Sequence, residues 1–109
     1  MEAHMVAERY NLIGPTMEQP QYNMLHRDKV EVEYDQIYKT VGLGTTIWSP
    51  LGSGILTGKY NDGMAEKTRL SMDGMEWLKD KSLVDENLEK VRNLTILAKE
   101  IGTTMPKLA

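Results

Sequence analysis

From Ser49 to Tyr60 the chain reads Ser-Pro-Leu-Gly-Ser-Gly-Ile-Leu-Thr-Gly-Lys-Tyr, and it follows a β-branched, nearly uncharged stretch, Leu43-Gly44-Thr45-Thr46-Ile47-Trp48. A strand that ends in small residues presents backbone N–H groups and hydroxyls at the carboxyl edge of a sheet, where open α/β sheets and barrels bind ligands. Glycines let the backbone approach an anion closely, and a helix starting there would add partial positive charge. Gly52-Ser53-Gly54 matches neither a Walker loop nor G-x-G-x-x-G. On spacing alone, an anion cradle and a tight strand-to-helix connection both remain open. Trp48, at the strand end, could stack on a flat ring or simply fill a core. Lys59 and Arg69 could hold phosphates, Arg69 through its forked donors, or lie solvated on the surface. Gln19 could donate to and accept from an amide. His4 and His26 have no partner at metal or triad spacing, and Tyr10, Tyr22, Tyr34 and Tyr38 are expected to pack.

The elements that would position these residues alternate. Met5, Val6, Ala7, Tyr10 and Leu12 form a partial helical stripe, broken at Gly14-Pro15. Thr16-Met17-Glu18-Gln19 is a short strand stopped by Pro20. Val30, Tyr34, Ile37, Tyr38 and Val41 recur at helical spacing over Lys29–Val41, with Gly42 as the C′ residue. The continuous run Leu43–Trp48 then suits a strand covered on both faces. Asp73–Lys81 reads as a short helix around Met75, Trp77 and Leu78. Asp85–Ile101 reads as the strongest helix, with Leu88, Val91, Leu94, Leu97 and Ala98 on one face, acidic residues outward and Gly102 ending it. Thr104 and Pro106 mark a further helix start. The order is α/β, and two strands cannot cover both faces of a parallel sheet, so the sequence reads as a piece of a larger fold.

Composition bounds the function. The 109 residues carry 13 basic and 16 acidic side chains, a formal charge of −3, without the basic stripe that nucleic acid requires. No apolar run reaches the roughly 18–20 residues of a membrane-spanning helix. The amino terminus has no secretory signal pattern. The absence of cysteine excludes disulfides, thiolate metal sites and thiol nucleophiles.

Two strings taken together, Glu18-Gln19-Pro20-Gln21-Tyr22-Asn23 and Thr46-Ile47-Trp48-Ser49-Pro50-Leu51-Gly52-Ser53-Gly54-Ile55-Leu56-Thr57-Gly58-Lys59-Tyr60, resemble the aldo-keto reductase superfamily. Lys29-Val30-Glu31-Val32-Glu33 and Glu76-Trp77-Leu78-Lys79-Asp80-Lys81 point to its branch of voltage-gated potassium channel β subunits and their relatives. The resemblance runs over essentially the whole chain. It implies a partial (β/α)8 barrel, residues 1–109 being one incomplete segment around strands six and seven with flanking helices. It implies NADPH as cofactor, with Gln19 on the nicotinamide carboxamide and Trp48 against the nicotinamide ring. Ser49, Pro50, Leu51, Gly52, Ser53 and Gly54 would wrap the pyrophosphate, and Lys59 and Arg69 would lie toward the adenosine phosphates. Gly52 and Ser53 stand where some relatives have Ala and Cys. No position matches the family's Asp, Tyr, Lys and His catalytic tetrad, which belongs to earlier strands. The implied function is reduction of aldehydes or ketones in a cytoplasmic protein, with the homotetramer and the potassium channel α subunit as possible partners. The alternatives are a regulatory channel subunit that senses redox state through NADPH, and a truncated, inactive segment.

Overall fold

Helix α4 (Asp85–Glu100) shows how the sequence builds its longest element: Asp85 and Glu86 sit in the first turn and Lys99 in the last, each matched to the helix dipole. A computed structural model describes all residues from Met1 to Ala109. The chain forms two compact units, one of residues Met1–Tyr22 and His26–Trp48, the other of Asn23–Leu25 and Ser49–Ala109.

In the second unit, α4 buries Val91 and Ala98 and half-buries Leu88 and Leu94, while Leu97 departs from the expected face and is 42% exposed. Gly102, with φ +73°, ends the helix in the left-handed conformation glycine tolerates. Thr104 then precedes α5 (Met105–Leu108), which has Pro106 in its first turn and buries Met105. Helix α3 (Glu76–Ser82) starts three residues later than the pattern predicts, because Gly74 turns at φ +82°. The core joins Ile55, Leu56 and Tyr60 from the glycine-rich stretch to Leu70, Val91, Ala98 and Met105. That stretch is therefore anchored: its apolar residues enter the core and its glycines make the bends between them.

Tyr60 is 1% exposed, yet its hydroxyl has no hydrogen-bond partner. An unpaired buried hydroxyl costs about 1–3 kcal/mol, so removing it should be harmless. Tyr60→Phe is expected to leave stability unchanged or raise it by about 1 kcal/mol, as read by urea denaturation of the intact protein. A loss larger than that would mean the hydroxyl is satisfied by ordered water.

In the first unit, α1 (Glu2–Arg9) buries Ala7 alone; Met5, Val6, Tyr10 and Leu12 remain exposed. Tyr10, expected to pack, instead lies beside the Arg9 guanidinium. Strand β1 (Met17–Glu18) pairs in parallel with β2 (Gly44–Thr45), Met17 opposite Gly44 and Glu18 opposite Thr45. The single helix expected over Lys29–Val41 is two pieces, a wide π-helical turn at Lys29–Glu33 and α2 (Asp35–Thr40). Side-chain ties frame the wide turn. Arg27 makes two 2.8 Å hydrogen bonds to the Glu31 carboxylate, the Tyr22 hydroxyl donates to it at 2.7 Å, and the Lys29 ammonium lies 5.5 Å from the Tyr34 ring centroid. Gly44, Thr45 and Thr46 are exposed, as expected where two strands alone cannot cover both faces of a sheet.

Candidate functional site

The parallel pair of the first unit positions two of the predicted residues. Its ladder continues past the regular strands: Gly44 N donates to Thr16 O at 3.0 Å, Thr46 N to Glu18 O at 2.9 Å, and Trp48 N to Pro20 O at 3.1 Å. Gln21 pairs with Trp48 in the same register as Met17 with Gly44, which sets Gln19 opposite Thr46. Because side chains alternate along extended chain, Gln19, Gln21, Thr46 and Trp48 share one face at the carboxyl ends of the strands. Gln19 is exposed there and Trp48 is 49% exposed, so an amide and an indole face are both open to a flat polar ring. Within this chain Trp48 is half-exposed and belongs to no core cluster. The Glu31 carboxyl lies below the ordinary glutamate range, held there by Arg27 first and Tyr22 second, and the same bond raises the Tyr22 hydroxyl.

The second unit holds the other predicted residues. Ser49 has φ +54° and Ser53 φ +59°, left-handed conformations that cost a residue other than glycine about 1–2 kcal/mol each. Gly52 (φ +55°) and Gly54 (φ +93°) complete the bend, within a 3-10 turn over Gly52–Thr57. Two expectations change here. The turn is broken at Ser53 and Gly54, so no regular helix begins at the strand end to supply a dipole. Three backbone N–H groups are already engaged: Gly52 N donates to Ser49 O at 3.0 Å, Ser53 N to Ser49 Oγ at 3.1 Å, and Gly54 N to Leu51 O at 3.0 Å. The loop is consequently closed on itself, with Ser49 as its hub.

What it offers an anion is side-chain chemistry. The Lys59 ammonium rests over Gly54, where a Cβ would come within 3.0 Å of Nζ, and it lies 5.2 Å from the Tyr60 ring centroid. Gly54 therefore leaves room for a cation that no carboxylate pairs; the three ion pairs, Arg27–Glu31, Lys39–Asp35 and Lys90–Glu86, all lie elsewhere. Arg69 is likewise exposed and unpaired, on a short 3-10 turn (Arg69–Ser71) where Thr68 N donates to Ser71 Oγ at 2.9 Å and Leu70 enters the core. Pro50 is exposed and Leu51 half-buried. No cluster of His, Asp and Glu could hold a metal, and no helix is long and apolar enough to cross a membrane.

One residue escaped the sequence reading. Asn23 is 6% exposed, the one buried amide side chain; its Nδ2 donates to Ser49 O and its Oδ1 accepts from Leu25 N, both at 2.9 Å. The signal lay in the Gln-Pro-Gln-Tyr-Asn string, but spacing alone does not reveal a bond to a residue so far along the chain.

A parallel β-α-β crossover with its candidate ligand groups at the carboxyl ends is the architecture of α/β barrels and open α/β sheets. The sequence pattern of the Aldo/keto reductase family matches residues 2–109, and the chain belongs to that family. Among curated relatives, it is 47% identical over 109 residues to a protein of Oryza sativa subsp. japonica named a probable voltage-gated potassium channel subunit beta. A protein of the same name from Arabidopsis thaliana is also 47% identical over 109 residues. Each match takes in 99% of this chain and 33% of the relative, so the chain spans about a third of the length of these relatives.

Proposed function

We propose that residues 1–109 form the strand-six and strand-seven section of a (β/α)8 barrel that binds NADPH, within an oxidoreductase that reduces aldehydes or ketones to alcohols. The observation that carries this reading is the shared face of Gln19 and Trp48 at the carboxyl ends of adjacent parallel strands. The residues present suit the cofactor. Gln19 can bond a carboxamide in both directions and Trp48 offers a flat apolar platform for the ring. Because the amides of Gly52, Ser53 and Gly54 are engaged, the Ser49 hydroxyl and the Lys59 ammonium answer the pyrophosphate charge, while Pro50 and Leu51 shape the wall. Arg69 supplies a guanidinium for a further phosphate. When bound, NADPH supplies the hydride. The residues of this section orient the nicotinamide and neutralise phosphate charge, and they contain no group matching the family's proton-transfer tetrad. By themselves they would turn over no carbonyl substrate.

Tryptophan fluorescence tests the reading in the intact protein. NADPH is expected to quench it, Trp48→Leu to abolish most of the quench, and Trp77→Phe, which alters an exposed residue of α3, to leave it in place. A quench that survives Trp48→Leu would remove Trp48 from the cofactor site.

The names of the two plant relatives favour a second reading, in which the protein is a subunit on potassium channel α subunits; the cytoplasmic homotetramer and the redox-sensing NADPH ligand belong to this reading through the family resemblance alone. Capture of the intact protein by the cytoplasmic assembly domain of a channel would support it.

A further inference from the structure

We propose that Asn23 is a positioning residue for the Ser49–Gly54 loop, setting the hydroxyl and carbonyl of Ser49 before any cofactor arrives; this rests on the reading of that loop as the pyrophosphate wall. The geometry is specific. Asn23 is buried, and each end of its amide has one partner: Nδ2 donates to Ser49 O and Oδ1 accepts from Leu25 N, both at 2.9 Å. The Ser49 carbonyl also accepts from Gly52 N at 3.0 Å, and the Ser49 hydroxyl accepts from Ser53 N at 3.1 Å. A left-handed serine at φ +54° persists only where its surroundings over-determine it, and Asn23 provides the one bond to it from a distant side chain. The amide is fixed in turn, because Leu25 N–H orients Oδ1 and leaves Nδ2 facing Ser49. A side chain at Gly52 would be strained by φ +55° and would press its Cβ to 3.1 Å from Ile55 Cγ2. Asn23 thus acts through Ser49 and touches no ligand itself.

The test separates donor chemistry from mere volume. Asn23→Asp keeps the acceptor for Leu25 N–H but faces the Ser49 carbonyl with a carboxylate oxygen. At pH 8 it is expected to weaken NADP⁺ binding by the intact protein by roughly tenfold or more, about 1.4 kcal/mol at one decade. Near pH 5.5 the buried carboxyl is expected to protonate, donate to Ser49 O and restore most of the affinity, while the unaltered protein changes little. Asn23→Leu, which can neither donate nor accept, should be weak at both pH values. Asn23→Asp binding as tightly as the unaltered protein at pH 8, or failing to recover at pH 5.5, would overturn the assignment. Hydrogen exchange in the unaltered protein gives a measurement independent of whether the variants fold. The Gly52 and Ser53 amides should be protected already without NADP⁺, and protection that arises only on binding would equally overturn it. Absence of NADP⁺ binding by the unaltered protein would count against the cofactor reading itself, and the role of Asn23 would then be decided by exchange of the Gly52 and Ser53 amides, which Asn23→Leu should speed relative to the unaltered protein.

Discussion

Arg69→Ala is expected to weaken NADPH binding by about 10- to 150-fold while leaving NADH nearly unaffected. A phosphate gains charge-assisted, forked hydrogen bonds from a guanidinium, and bonds to charged groups are worth about 1.5–3 kcal/mol. At about 1.4 kcal/mol per decade this gives the stated range. Arg69 suits the role because it carries no ion pair to break and stands on a turn fixed by Leu70 in the core and by the Thr68–Ser71 bond. The 2′-phosphate is the group that NADPH has and NADH lacks, so the contrast between the two isolates it. Titration of both cofactors by fluorescence or calorimetry reads the effect directly. Equal weakening of both would assign Arg69 to the shared pyrophosphate or to the fold.

Leu56→Ala should cost the intact protein about 2–5 kcal/mol, the range for emptying a packed leucine site. Leu56 is fully buried among Ile55, Tyr60, Leu70 and Val91, and its backbone N–H donates to Leu51 O at 3.2 Å. Against a total of about 5–15 kcal/mol for a typical domain, that is a large share. Ile96→Ala, on the exposed side of α4, removes as many apolar atoms from a residue that is 57% exposed, and should cost far less, about 0.5 kcal/mol. Urea midpoints compared at constant slope distinguish the two. A small loss at Leu56 would mean that the glycine-rich stretch is not anchored in this core.

The periodic elements were legible because their signals are local. Asp85–Glu100 carries its own charge bias, apolar face and glycine stop, and Gly42 and Gly102 adopt the left-handed stops the pattern assigned. The family was legible in the Trp-Ser-Pro-Leu and Gly-Lys-Tyr strings. Less legible was anything set by distant pairing. Val30, Tyr34 and Ile37 keep helical spacing, yet Glu31 is tied to Tyr22 and Arg27 and the backbone widens to a π-turn there. The amphipathic pattern of α1 predicted a buried stripe, but burial depends on a partner surface and only Ala7 finds one. In the candidate site, glycines correctly marked tight bends, whereas the destination of the amide hydrogens depended on Ser49 adopting a left-handed conformation that composition does not announce.

The grouping of Asn23–Leu25 with Ser49–Ala109 also bears on how this region can be moved or exchanged. A contiguous stretch beginning at Ser49 looks like a transferable cassette: it opens at a strand end and contains the bend, Lys59, Arg69 and most of the core. Structurally it is incomplete, because three residues from far upstream belong to it. A graft or recombinant joined between Trp48 and Ser49 would carry the loop away from Asn23 and leave the Ser49 carbonyl with Gly52 N as its sole protein donor. Viable exchange therefore requires a host that supplies an asparagine at the matching place, so the unit of inheritance for this loop is a pair of segments.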